Sequence, residues 1–165
     1  MSKDQIPQPN VLFISVDQWP GYLLGCAGHP VIQTPTIDHL AKLGTRFSNA
    51  YAESPICIPS RRSMMTGQSP KGHGDRSFNP TLRMPQKNLL AQTFRDSGYQ
   101  SVAIGKLHVY PPRDRIGFDD VLLAEEGRPK LGAIDDYEMY LAAQGHPGEQ
   151  FLHGMNNNDY LNRPW

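Results

Sequence analysis

The sequence predicts an α/β fold, a mostly parallel sheet flanked by helices. Three observations carry this expectation. Val11-Leu12-Phe13-Ile14-Ser15-Val16 is a near-continuous apolar, β-branched run of strand length, the pattern of a strand covered on both faces. Residues 99–104 form a second such run. Between them lie segments whose apolar residues recur at helical spacing. Strand, helix and strand in alternation imply crossover units and parallel pairing.

Each element follows from local chemistry. The first strand stops at Asp17-Gln18. Thr34-Pro35 opens a helix, with Thr34 as a side-chain cap and Pro35 at the first helical position. Ile37, Leu40 and Ala41 make its apolar face, and Gly44 suits a left-handed cap. Residues 45–51 alternate loosely and read as a short strand. Residues 55–67 are a Pro-punctuated loop leading into a short helix that Gly67 ends. A further helix covers residues 88–97, with Leu89, Leu90 and Phe94 facing inward and Gly98 at its exit. The strand at 99–104 runs into Gly105-Lys106-Leu107-His108. Residues 135–143 form a helix, and the tail from Gly145 has three consecutive Asn and no periodicity.

Composition excludes several classes. The 165 residues amount to about one domain, and 38% apolar content supports a thin core. Fifteen Gly and fifteen Pro stay below the ~25–30% that marks low-complexity disorder. Sixteen basic residues cancel sixteen acidic ones, so no positive field collects nucleic acid. The longest apolar run, residues 11–14, is far below the ~18 residues of a membrane helix. The polar start and the early Asp17 do not make a signal-peptide core. A soluble, cytoplasmic chain is expected, with neither nucleic acid nor membrane as partner. Two cysteines, Cys26 and Cys57, are too few for a disulfide scaffold.

In open α/β sheets, ligands bind beyond the carboxyl ends of the strands. Asp17-Gln18 and Lys106/His108 stand at two such ends, on one edge if the two strands are parallel neighbours. The same residues also read as a loop cap and solvated charges. Cys57-Ile58-Pro59-Ser60-Arg61 places a cysteine just before a helix N-terminus with an arginine four residues on, a setting for a chemically active thiol. A buried structural cysteine is the equal alternative.

Cys57-x-Pro59-Ser60-Arg61-x4-Thr66-Gly67 resembles the signature of the sulfatase family, within the alkaline-phosphatase-like superfamily. Pro9-Asn10-Val11 leading to Asp17-Gln18 is similar to the family's opening strand and first metal-ligand pair. The stretches 24–30 and 34–41 resemble its next loop and helix. Gly105-Lys106-Leu107-His108 matches its Gly-Lys-x-His motif, and Gly117-Phe118-Asp119 a motif downstream. The likeness covers residues 9–120.

The resemblance implies a sulfuric ester hydrolase in which Cys57 is oxidised to formylglycine by a formylglycine-generating enzyme. The hydrate's geminal diol then attacks sulfur and later expels sulfate. It implies that Arg61 pairs with the modified residue, that Lys106 contacts sulfate oxygens and that His108 assists a diol hydroxyl. Asp17, Gln18 and the modified Cys57 would hold a divalent metal, Ca²⁺ first, with Mn²⁺ or Mg²⁺ as alternatives. The partner is a small-molecule sulfate ester. His29, His39, His73, His146 and His153 read as surface or structural, Cys26 as a small buried residue, and Arg62 and Lys71 as solvated charges.

Family members complete the site from later residues, so the chain reads as truncated: residues 1–165 as the N-terminal segment of a catalytic domain, with 121–165 an irregular tail. A homo-oligomer or the absent C-terminal half would complete it. Two alternatives stay open, a phosphonate monoester or phosphodiester hydrolase of the same superfamily and an inactive fragment that only associates.

Overall fold

The computed structural model describes residues 8–125 and 135–147, and the chain divides after Tyr51 into two units. In the first, a 3-10 turn (Gly25–Ala27) precedes helix α1 (Pro35–Leu43). Pro35 opens α1 as expected, but the Thr34 side chain does not cap it. Thr34 Oγ1 instead accepts from the Gly25 N–H (2.8 Å) and donates to Asp38 Oδ1 (2.8 Å). The same carboxylate oxygen accepts from the Cys26 N–H at 2.7 Å. The Thr34 bond, helped by the Cys26 N–H and opposed by burial, holds the Asp38 carboxyl below the usual carboxylate range. Gly25 is dictated by this close approach, because a Cβ there would lie 2.4 Å from Asp38 Oδ2. Gly44 leaves α1 at φ −116°, not left-handed, with its N–H bonded to the Leu40 carbonyl. Leu40 itself is exposed, so the inward face expected of α1 is only partly covered.

Two expected strands are not formed. Among the described residues, 11–16 and 45–51 carry no ladder, and Leu12 is 84% exposed. The composition of 11–16 is right for a strand. A strand, however, exists only against a neighbour, and the described residues of this unit provide none.

The second unit holds α2 (Cys57–Thr66), α3 (Pro70–His73), α4 (Leu90–Asp96), β1 (Val102–Gly105), β2 (Asp120–Leu123) and α5 (Asp136–Ala143). β1 and β2 pair in parallel, from Val102 opposite Asp120 to Gly105 opposite Leu123. The architecture is thus α/β, a parallel sheet with helices, as the sequence predicts. β2 was not foreseen, because four residues offer too short a run for a pattern. In α4, Leu89 and Ala91 are buried while Leu90 is exposed. Successive helical residues diverge by about 100°, so Leu89 and Leu90 do not both face inward. Gly117 sits at φ +90°, where a Cβ would meet the Gln92 nitrogen at 2.8 Å; the turn before β2 touches α4 through bare backbone. Among the described residues no helix is long and apolar enough to cross a membrane.

The core joins Met65, Met84, Leu89, Leu107, Val109, Ile116 and Leu123, with Ala103, Phe118 and Val121 packed against it. α2 gives Met65 to this core, and its buried residues Ile58, Pro59, Arg62, Met65 and Thr66 form a stripe at helical spacing. Arg62 is therefore not the solvated charge expected of it. It is 2% exposed, its Nε bonds Asp75 Oδ2 at 3.2 Å, and its two Nη atoms donate to the Leu82 and Arg83 carbonyls at 2.6 Å each. The planar fork suits this divergent set of acceptors, and Asp75, also 2% exposed, neutralises the charge. Asp75→Ala leaves the guanidinium buried and uncompensated, with an expected loss of about 3–5 kcal/mol in urea unfolding. Arg113→Ala, which breaks the more exposed pair to Asp136, is expected to cost no more than about 1 kcal/mol. Equal losses from the two changes would contradict this ranking.

Candidate active site

Cys57 is the first residue of α2 and is half-buried. The helix starts here because Pro59 fits its first turn and Gly67, at φ +64°, ends it. Arg61 lies one turn beyond Cys57, and its Nη1 donates to the Lys106 carbonyl at 2.5 Å. Lys106 and His108 follow β1 directly, at its carboxyl end. His108 is 5% exposed, takes the left-handed conformation at φ +58°, and meets the Phe78 ring edge-on at 5.9 Å. The structure thus joins Arg61, Lys106 and His108 and sets Cys57 on the helix that Arg61 anchors. Asp17 and Gln18 belong to the first unit, at a turn just after residues 11–16, with Gln18 at φ +58°.

Two acidic residues at this site escaped the sequence reading. Glu125, 1% exposed, accepts from the Leu107 and His108 N–H groups through Oε1 at 2.7 and 2.8 Å. Asp135, 2% exposed, accepts from the Glu125 N–H at 2.6 Å and caps α5 through the N–H groups of Tyr137 and Glu138. Glu125 follows β2 as Lys106 follows β1. The rule that strand ends carry the chemistry would have singled it out had β2 been recognised.

Ser63 on α2 and His73 on α3 form a second pairing of a hydroxyl with an imidazole. Ser63 Oγ lies 2.9 Å from His73 Nε2. His73 Nδ1 accepts from the Asp75 N–H at 3.2 Å, which assigns the ring proton to Nε2. His73 therefore donates to Ser63 and cannot take its proton, so the pair is structural, as expected for this histidine. Burial, reinforced by the Arg62 charge and opposed by Asp75, lowers the His73 pKa from its usual 6.5. The unfolded chain then binds the proton more readily than the folded one. Stability from this group is complete above the unfolded pKa and falls away as pH drops through the folded value. His73→Gln is expected to flatten the decline in thermal midpoint between about pH 7 and pH 5. An unchanged pH profile would remove His73 from this role.

Comparison with known proteins places these features in a family. Residues 9–163 match the sulfatase family model. The chain is 35% identical over 170 residues to an arylsulfatase of Clostridium perfringens, covering 96% of this chain and 35% of that protein. It is 32% identical over 142 residues to the iduronate 2-sulfatase of Homo sapiens, covering 85% of this chain and 26% of that one. A solved relative is the crystal structure of Ps i-CgsB in complex with k-i-k-neocarrahexaose. It is similar at a TM-score of 0.55 and 30% identity over 74% of this chain and 30% of that chain. The chain spans about a third of the length of the arylsulfatase and about a quarter of the iduronate 2-sulfatase. With a family match across most of its residues and the Cys57–Gly67 signature intact on α2, the chain belongs to the sulfatase family.

Proposed function

We propose that this chain carries the nucleophile and part of the sulfate-binding site of a sulfuric ester hydrolase. The observation that carries this reading is the bond from Arg61 to the Lys106 carbonyl. It sets the helix beginning at Cys57 against the turn that bears Lys106 and His108. Residue 57 stands where a helix leaves N–H groups without intrahelical partners, and Ile56 before it brings no capping side chain. Such an end favours a negative group. Lys106 supplies positive charge to sulfate oxygens, and Arg61 offsets negative charge beside residue 57. His108 hydrogen-bonds a hydroxyl carried on residue 57 and assists its deprotonation. Formylglycine made from Cys57 by a formylglycine-generating enzyme would supply, as its hydrate, one hydroxyl to attack sulfur and another to expel sulfate. The substrate is a small sulfate ester.

Asp17 and Gln18 are this chain's candidates for a divalent cation. A carboxylate and an amide oxygen on consecutive residues of one turn are hard donors, which fits Ca²⁺, with Mn²⁺ or Mg²⁺ as alternatives. Among the described residues no three His, Cys, Asp or Glu side chains cluster as a metal site. Asp17 and Gln18 supply about three oxygens, where calcium takes ~6–8. Substrate oxygens, water or further protein donors complete the count. The cation would supply positive charge to the reacting sulfate.

Co-expression with a formylglycine-generating enzyme is expected to lower the mass of the Cys57 peptide by about 18 Da, thiol to aldehyde, and to leave Cys26 unchanged. Conversion at Cys26, or none, would overturn the reading. The donor count also predicts that the 165-residue chain, fully converted and supplied with Ca²⁺, hydrolyses an aryl sulfate only slowly. Loss of a single well-placed donor costs on the order of 10²–10³ in rate. Brisk turnover by this chain would refute that count.

A further inference from the structure

We propose that Glu125 is a positioning residue: its carboxylate fixes the Lys106–His108 turn and so aims Lys106 at sulfate and His108 at the hydroxyl carried on residue 57. The proposal rests on the functional reading above for the identity of the ligand, and on geometry alone for the positioning. Three observations support it. Glu125 Oε1 accepts from two consecutive N–H groups, those of Leu107 and His108, at 2.7 and 2.8 Å. His108, which carries the second of them, is held left-handed at φ +58°, a conformation that residues with a Cβ rarely adopt without external constraint. Arg61 holds the preceding carbonyl, that of Lys106, from the other side.

A packing role does not explain this choice of residue. Glu125 is 1% exposed, where an apolar side chain would fill the space without desolvating a carboxylate. What the carboxylate provides, and an apolar group does not, is an acceptor that orients two peptide planes at once. Its own backbone is fixed in turn. Asp135 accepts from the Glu125 N–H and caps α5, so the helix anchors the carboxylate that anchors the turn. Lys106 and His108 then leave the chain on either side of Leu107, whose side chain is locked in the core. Rotation of either peptide plane would swing Lys106 or His108 away from its place.

The test uses the whole 165-residue chain, isotope-labelled for amide NMR, with inorganic sulfate as the probe. Glu125→Gln keeps an acceptor oxygen but loses the charge. It is expected to shift the Leu107 and His108 amide protons together and to hold sulfate affinity within about threefold. Glu125→Ala removes both bonds and is expected to break the Phe78–His108 ring contact and weaken sulfate binding about tenfold. Leu123→Ala, a core truncation in the neighbouring strand, serves as the stability control. It is expected to lower the thermal midpoint and leave sulfate affinity in place. The proposal fails if Glu125→Gln leaves the two amides unmoved, a result legible even if the alanine variant does not fold. It also fails if folded Glu125→Ala binds sulfate like the parent, or if Leu123→Ala weakens binding equally. A parent chain that does not bind sulfate, while the two amides still answer to residue 125, would refute the ligand and uphold the positioning.

Discussion

Everything at this site depends on one peptide segment being held from two sides by opposite charges. Arg61 donates to the carbonyl of Lys106, and Glu125 accepts from the N–H groups of Leu107 and His108. Charge-assisted hydrogen bonds of this type contribute about 1.5–3 kcal/mol each. A left-handed residue with a side chain costs about 1–3 kcal/mol. Three such bonds therefore exceed the strain at His108, and the unusual conformation persists because it is over-determined. The parallel register of β1 and β2 makes this feasible. Leu123 lies opposite Gly105, so the chain leaves both strands at one edge and Glu125 arrives beside the turn it must reach.

α2 divides two arginines between two tasks. Arg61 reaches the turn after β1, while Arg62, one residue on, points into the core and locks Asp75 and the carbonyls of Leu82 and Arg83. Successive positions on a helix diverge by about 100°, so neighbours serve different faces. The buried pair and the site are therefore mechanically linked. The helix that presents Cys57 and Arg61 is seated by Arg62, and it cannot rotate without tearing a neutralised charge from its partner.

Much of this arrangement was legible in the sequence. The short helix after the proline-punctuated loop, its end at Gly67, the helix over 135–143 and the strand before Lys106 all follow from local signals: apolar spacing and a glycine that takes positive φ. What was not legible depends on residues far apart in the chain. Glu125 and Leu107 are eighteen residues apart, and no spacing rule joins an acid to a backbone N–H at that range. β2 is four residues long and becomes a strand only because β1 is beside it. The converse failure is residues 11–16, whose composition favours a strand but which have no ladder among the described residues. Arg62 was a different error. Its place at helical spacing with Ile58, Met65 and Thr66 was visible, and the charge was wrongly allowed to outweigh the pattern.

The same helix also bears on the proposal that nucleophilic chemistry belongs to residue 57 rather than to the serine beside a histidine. A serine attacks only when a neighbouring base can remove its proton. At Ser63 the required lone pair on His73 is turned away, engaged by the Asp75 N–H. The lowered proton affinity of that ring, set by burial and by Arg62 behind it, makes it a still weaker base. Cys57 has the opposite surroundings. It lies at the open end of the helix, where the backbone favours negative charge, with the guanidinium of Arg61 one turn away. Arg62 thus bears on both outcomes: its pairing with Asp75 seats α2, and its charge helps keep the competing serine inert.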